Sequence, residues 1–480
     1  VSVSTATAST GSSGPTSTRG SRLASVAVAS ALFMEFLDST ALSTALPTLS
    51  VAFGTDPVHL KLALTSYILA LAVLAPASGW IADRYGPRRV FMWAMAVFLL
   101  GSVLCGFSQS LAQLVVFRTV QGLGGALMTP VGRLIVVNAA PREKLVSAMS
   151  WFTMPALVGP LMGPPLAGLI LGVADWPWIF FINVPVGLLG MWAVARFVPA
   201  LEQPDPGPFD KKGFALAVVA ITTLMLAAET VGIGLVPWPL QLGITVVALG
   251  MLAAYVRHAL RTPRPVLDLR LFRVDTFRAS MMGGALVRIG LGATPFLLPL
   301  LFQVGLGWGP LEAGLVTIGT GMGAFACKPV APALIRRVGF RKTLVTSNLL
   351  TAALTAVPAF FRAGTPIPFI IGTLIFSGFM RSLQFTATNT VAYADLPRES
   401  VSSASTLAVV TQQMALSVGI SFGGLMLHVA RGGGDVRLTP DRFLLPFLAI
   451  GLMSSLAGPL FRRLPPDAGA HIGGRSAARG

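Results

Sequence analysis

The chain is poor in the residues that soluble enzymes rely on. Of its 480 residues only 11% are charged, 18 of them acidic, and it holds two cysteines, four histidines and four tyrosines. Cys105 and Cys327 both lie inside apolar runs, which argues against a disulfide framework. His59, His258, His428 and His471 have no metal-ligand spacing, so neither a zinc site nor any other metal is expected. No Gly-Lys dipeptide occurs, which excludes a Walker A phosphate loop. With no HExxH-type motif either, the chain reads as neither an enzyme nor a nucleotide-driven pump, and no cofactor is expected. No ring-forming filter repeat suggests a channel.

What is abundant is apolar surface: 54% of residues are hydrophobic and the mean hydropathy is +0.76. A soluble fold could not bury that much, whereas a bilayer accepts it. A helix crosses the hydrocarbon core with roughly 20 apolar residues. Fourteen such stretches fall at about 23–47, 61–82, 90–108, 111–137, 146–173, 177–198, 213–230, 238–256, 279–304, 312–334, 343–361, 366–389, 403–428 and 443–462. The net charge of +17 would suit a nucleic-acid binder if the basic residues formed patches among aromatics, but they fall in short clusters between the apolar runs. Of the 35 Lys and Arg, 25 lie in the termini and the loops that share their side, 5 in the opposite loops and 5 within helices. The positive-inside rule then places both termini in the cytoplasm.

Alternating access is commonly built from duplicated halves, and the sequence contains a repeat. IADRYGPRRV at 81–90 aligns with LIRRVGFRKT at 334–343, pairing Gly86 with Gly339, and PREKLVSAMS at 141–150 aligns with PRESVSSAST at 397–406. The helices after the second match keep Gly163 opposite Gly419 and Gly168 opposite Gly424. Eight helices separate the paired loops, so the expected fold is all-α and polytopic, two six-helix bundles plus two inserted helices. The expected segments are a disordered cytoplasmic tail at 1–22, a bundle at 23–198, a linker with the inserted pair at 199–278, a second bundle at 279–462, and a tail at 463–480.

GWIADRYGPRRVF at 79–91 resembles the loop signature between helices 2 and 3 of the major facilitator superfamily, through Gly79, Asp83, Arg84, Gly86, Arg88 and Arg89. A tight turn at Gly86, with cations at headgroup level and an aspartate able to meet a helix N-terminus or an arginine, can lock one conformation. LVVFRTVQGLGGA at 114–126 resembles the fourth-helix motif through Arg118, Gln121, Gly122, Gly124 and Gly125. GPLMGPPLAG at 159–168 resembles the fifth-helix antiporter motif, with Gly159, Gly163, Pro164 and Gly168, although Ala167 replaces the first glycine of its closing pair. Gly159 and Gly163 lie on one face and permit close helix approach, while Pro164 and Pro165 remove backbone hydrogen bonds. FLDSTALSTALPTL at 36–49 resembles the first-helix motif of the fourteen-helix drug:proton antiporters, a subfamily that also explains the inserted pair. The similarity covers nearly the whole chain, including QFTATNT at 384–390, and looks closest to multidrug transporters of enteric bacteria encoded beside tripartite efflux systems.

A charge at mid-bilayer costs several kcal/mol, about 3 on insertion scales, so intramembrane ionisable residues are functional candidates. Glu35 and Asp38 share a face of the first helix. At a rise of about 1.5 Å per residue, Asp38 lies roughly 13 Å and Arg118 roughly 10 Å below the outer ends of their helices, so the two can meet. Asp38 is expected to carry the coupled proton with Arg118 tuning it, and Glu35 to be a second proton site or the group that recognises a cation. The alternative is a static pair that fixes helix register. In the second half Arg288, Lys328 and Arg381 have no carboxylate at matching depth: Lys328, like Arg133, is expected to snorkel to the cytoplasm, while Arg288 and Arg381 either snorkel or line a cavity with Gln121, Gln384 and Asn389. Glu229, Glu312 and His428 are expected at outer helix ends, in reach of water.

The resemblance implies a proton-coupled exporter of amphipathic small molecules in a bacterial inner membrane. It would work as a monomer with substrate, protons and lipid as its partners, an envelope adaptor being one further candidate. The rival reading is an exporter or importer of an anionic metabolite held by Arg288 and Arg381.

Overall fold

The computed structural model describes residues 18–139, 145–199, 207–231, 236–397, 400–432, 438–465 and 468. Most of both expected tails therefore lies outside the described residues, as do residues 141–144, 398 and 399 of the second repeat match. Within the described residues fourteen long helices follow one another. The first six are α1 (Thr18–Phe53), α2 (Lys61–Tyr85), α3 (Pro87–Gly106), α4 (Leu111–Ala139), α5 (Leu145–Val173) and α6 (Trp178–Phe197). The inserted pair is α7 (Lys211–Thr230) and α8 (Trp238–Arg261). The last six are α9 (Asp275–Gly305), α10 (Pro310–Val338), α11 (Phe340–Phe360), α12 (Ile367–Ala392), α13 (Val401–Ala430) and α14 (Pro440–Arg462). Thirteen of them are long and apolar enough to cross a membrane, and α5 contributes a shorter apolar helix at Val158–Val173.

The halves are built alike. The first helix of each packs on the fifth, α1 on α5 and α9 on α13, and the second on the fourth, α2 on α4 and α10 on α12. Glycines make the first of these pairings close. A Cβ on Gly163 would fall 3.0 Å from Thr40 Cβ on α1, and one on its counterpart Gly419 would fall 2.2 Å from the Ile289 carbonyl oxygen on α9. The repeated loop is visible in the backbone too: Gly86 at φ +87° and Gly339 at φ +89° each turn the chain between two helices, a conformation that strains any side chain.

Each bundle has its own apolar core, around Phe91, Phe98 and Phe152 in the first and around Cys327, Phe340 and Phe461 in the second. At the end away from the basic loops the two merge into one cluster that includes Leu42, Leu46 and Phe180 with Phe296, Phe302 and Phe447. The bundles meet through α5 on α10, α2 on α13 and α1 on α9. Of the inserted pair, α7 packs on α8 and also against α2 and α13. Asp210 starts α7 by accepting the Gly213 N–H at 2.8 Å and pairs with His258 Nε2 of α8 at 3.0 Å. The preceding linker docks on the end of α2, where Trp80 Nε1 donates to the Gly207 carbonyl at 3.1 Å and its ring lies 4.9 Å from that of Phe209.

Candidate functional site

Four helices of the first bundle converge on Asp38, whose side chain is fully buried. Arg118 Nη1 of α4 lies 2.5 Å from Asp38 Oδ2. Gln121, one turn further along α4, donates from Nε2 to Asp38 Oδ1 at 2.9 Å and accepts from Arg118 Nη1 at 2.6 Å. α4 packs closely on α3 at this level, where a Cβ on Gly101 would fall 2.6 Å from the backbone of Gln121.

Two further contacts were not anticipated from the sequence. Asn183, the first residue of the main part of α6, donates from Nδ2 to Asp38 Oδ1 at 2.8 Å and to Ser102 Oγ of α3 at 3.0 Å. Arg118 also donates from Nε to the Ala63 carbonyl of α2 at 3.2 Å, and its guanidinium lies 4.4 Å from the centroid of the Tyr67 ring. A lone Asn in an apolar run is the only signal that marks Asn183 in the sequence. Each oxygen of the carboxylate and both sides of the guanidinium are thus engaged, which is how a pair so far from water is held.

Beside this network a cavity of about 590 Å³ lies between the bundles. Arg118 and Glu35 line its inner end, with Phe36, Tyr67 and Leu416 as apolar neighbours, and Ser78, Arg133, Tyr393 and Thr406 line it toward the basic loops. Glu35 accepts from Thr129 Oγ1 at 3.0 Å, so one carboxylate of α1 faces the cavity while the other is enclosed behind it.

The second-half residues are placed differently from one another. Asn389 lines the cavity; Gln121, Arg288, Arg381 and Gln384 do not. Gln121 is spent on Asp38, and Gln384 is buried and accepts a short hydrogen bond from Ser347 Oγ. Arg288 is buried rather than snorkelling: it donates to Asn389 Oδ1 at 3.0 Å with its guanidinium 5.5 Å from the centroid of the Phe385 ring. Arg381 points to the Leu291 carbonyl at 3.4 Å. Each makes one hydrogen bond within its own bundle, and Arg288 Nε is buried with no partner among the described residues.

In the signature segment Gly79 is exposed near the end of α2, and Arg88, in the first turn of α3, donates to the Ala195 carbonyl of α6 at 2.5 Å. Arg84 and Arg89 are exposed and Asp83 is half-buried, its carboxylate making no hydrogen bond or ion pair among the described residues. In the antiporter motif Gly159 and Gly163 pack on Phe36 and Thr40 of α1, and α5 runs as a helix through Pro164 and Pro165. Gly168 instead faces the other half, where a Cβ would fall 2.6 Å from the Pro310 carbonyl oxygen.

Glu229 corrects the reading of outer helix ends as wet. Only 6% exposed, it lies 3.3 Å from Lys61 Nζ, because α7 packs its end into the seam between α2 and α13. Glu312 caps α10 by accepting the Gly309 N–H at 3.2 Å. In the loop before α2, Asp56 Oδ2 pairs with Arg431 Nη1 of the second half at 2.6 Å. Burial pushes that carboxyl up, but the Val58 N–H and the Arg431 guanidinium outweigh it and hold Asp56 below the usual aspartate value.

The model of the Major Facilitator Superfamily matches residues 28–291 and again 280–479. A protein of Pectobacterium atrosepticum that carries the multidrug-resistance name MdtD is 37% identical over 449 residues, 92% of this chain and 95% of its own length. Its Escherichia coli namesake is 37% identical over 450 residues, 92% and 94% of the two chains. Among solved structures a D-xylose-proton symporter superposes with a TM-score of 0.67 at 15% identity, covering 93% of this chain and 98% of that one, which speaks to the fold alone. A repeated six-helix bundle with an inserted pair, together with these matches, makes the chain a multi-pass membrane transporter, not an enzyme, and it belongs to the major facilitator superfamily.

Proposed function

We propose that the protein exports amphipathic drug-like molecules in exchange for protons, with the buried Asp38–Arg118 pair beside the cavity as the coupling centre. The observation that carries the reading is that Arg118 belongs both to the cavity wall and to the Asp38 ion pair. A change in the protonation of Asp38 releases Arg118 from its 2.5 Å contact, and the freed guanidinium alters the cavity wall. Glu35, facing the same cavity, recognises the cationic end of a substrate or takes a second proton, and Phe36, Tyr67 and Leu416 supply apolar contact. The names of the MdtD relatives point to the same substrate class.

With both termini in the cytoplasm of a bacterial inner-membrane protein, the cavity opens inward and the merged apolar cluster seals the outer side. Asp83, with no hydrogen bond or ion pair among the described residues, fits a cytoplasmic gate standing open, and Arg133 borders that opening. Gly159, Gly163 and Pro164 let α5 slide against α1, and Gly168 lets it close on α10. The chain works as a monomer, with an envelope adaptor as a further partner.

The test is uptake of a panel of dyes and drugs into inverted vesicles with and without a pH gradient, in the native protein and in Asp38→Asn. Gradient-driven uptake that disappears in Asp38→Asn at unchanged protein level is the expected outcome. Uptake indifferent to the gradient, or to the substitution, removes the proposal. A second reading rests on Arg288, a buried cation with no carboxylate partner among the described residues, bonded to the cavity-lining Asn389. It predicts that an anionic dye is carried in preference to a cationic one, and that Arg288→Gln abolishes the preference.

A further inference from the structure

The inserted helix α7 brings a charge into the outer seam. Lys61 Nζ, at the start of α2, lies 3.3 Å from Glu229 Oε2 and donates to the Glu229 carbonyl at 3.1 Å. From the other half Ser421 Oγ of α13 donates to Glu229 Oε1 at 2.6 Å. Lys61 is fully buried, and Glu229 and Ser421 are nearly so. Gly424 makes room for the lysine, since a Cβ there would fall 2.8 Å from Lys61 Cδ.

The repeat supplies an internal control. Gly168, the counterpart of Gly424, takes the start of α10, the counterpart of α2, through Pro310 and Leu311. The two seams thus share one geometry, but at the contacting position the first half has a lysine where the second has apolar residues. The anion that this lysine needs comes from neither bundle. It comes from the inserted helix.

We propose that Lys61, Glu229 and Ser421 form a latch on the outer side, and that α7 is a working part of the transport cycle with Glu229 as a positioning residue. One carboxylate is shared by a cation of the first half and a hydroxyl of the second. The outer ends of α2 and α13 therefore cannot part without one partner leaving Glu229, and a buried charge deprived of its partner is costly. The strength of this contact sets how often the outer side opens. The proposal rests on alternating access but not on the nature of the substrate.

Spin labels at Val51 and Val429, both exposed at outer helix ends, in a Cys105→Ala, Cys327→Ala background read the seam directly. In the native protein one short distance should dominate. Glu229→Gln and Lys61→Gln should each raise the long-distance population about fivefold or more, the usual range for coupling between sites, and the exchange K61E/E229K should restore the native distribution. Ser421→Ala, which removes no charge, should also raise it about fivefold or more, because the hydrogen bond it deletes is made to a charged carboxylate. If the charge variants do not fold, the serine variant decides. An unchanged distribution in folded Glu229→Gln, or in folded Ser421→Ala, overturns the latch, as does an exchange variant that stays as open as either single one. Because no substrate is involved, failure of the drug-export reading leaves this result standing.

Discussion

Asn183 donates one amide to both Asp38 Oδ1 and Ser102 Oγ, at 2.8 and 3.0 Å, so that α6 and α3 hold the carboxylate that α4 neutralises. A hydrogen bond to a charged group contributes about 1.5–3 kcal/mol. Asn183→Ala is therefore expected to slow gradient-driven efflux about tenfold or more at unchanged protein level. Vesicle uptake rates check this, and a loss of less than twofold would separate Asn183 from the coupling centre.

Arg118 uses three features that lysine lacks together: Nη1 for Asp38 and Gln121, Nε for the Ala63 carbonyl, and a flat face toward Tyr67. Charge alone should not replace them. Arg118→Lys should lose at least about tenfold in transport, while Arg196→Lys, at the end of α6 and away from the network, should stay near native. Equal activity of the two variants would show that only the charge at 118 matters.

Gly163 meets α1 so closely that a methyl group has no room. Overpacking of this kind costs typically about 1–3 kcal/mol, so Gly163→Ala should lower the thermal midpoint in detergent. Most of the contact is with the Thr40 side chain, and adding Thr40→Ala should recover part of the loss. A midpoint unmoved by Gly163→Ala would mean that α1 and α5 already sit further apart.

The Asp56–Arg431 pair has a defined pH window. Because Asp56 titrates below the ordinary aspartate value in the folded protein, its contribution is fully present above that ordinary value and is lost as pH falls through the folded one. Stability differences between the native protein and Arg431→Gln should be flat from about pH 8 to pH 5 and shrink only below about pH 4. A difference that vanishes near neutral pH would show that the carboxylate is not held down by Arg431.

Periodicity and charge made the fourteen helices, the repeat and the meeting of Asp38 with Arg118 legible, since each depends on spacing along single helices. Asn183 and Ser102 were not, because which short polar side chains of α6 and α3 face α1 is decided by helix rotation. Glu229 was misread for the same reason: a carboxylate at a helix end looks solvated until α7 is seen wedged between α2 and α13. The second-half arginines were left between snorkelling and a cavity, because depth along a helix does not say which way a long side chain turns; Arg288 turns to Asn389 Oδ1 and Arg381 to the Leu291 carbonyl.

The seal at the end away from the basic loops is largely oil: Leu42, Leu46 and Phe180 against Phe296, Phe302 and Phe447. Parting it hydrates apolar surface, so the step carries a positive heat-capacity change, and the driving force for closure weakens on cooling. Chilled protein should therefore sample the form open at this end more often than warm protein, and rates of opening plotted against inverse temperature should curve rather than follow a straight Arrhenius line.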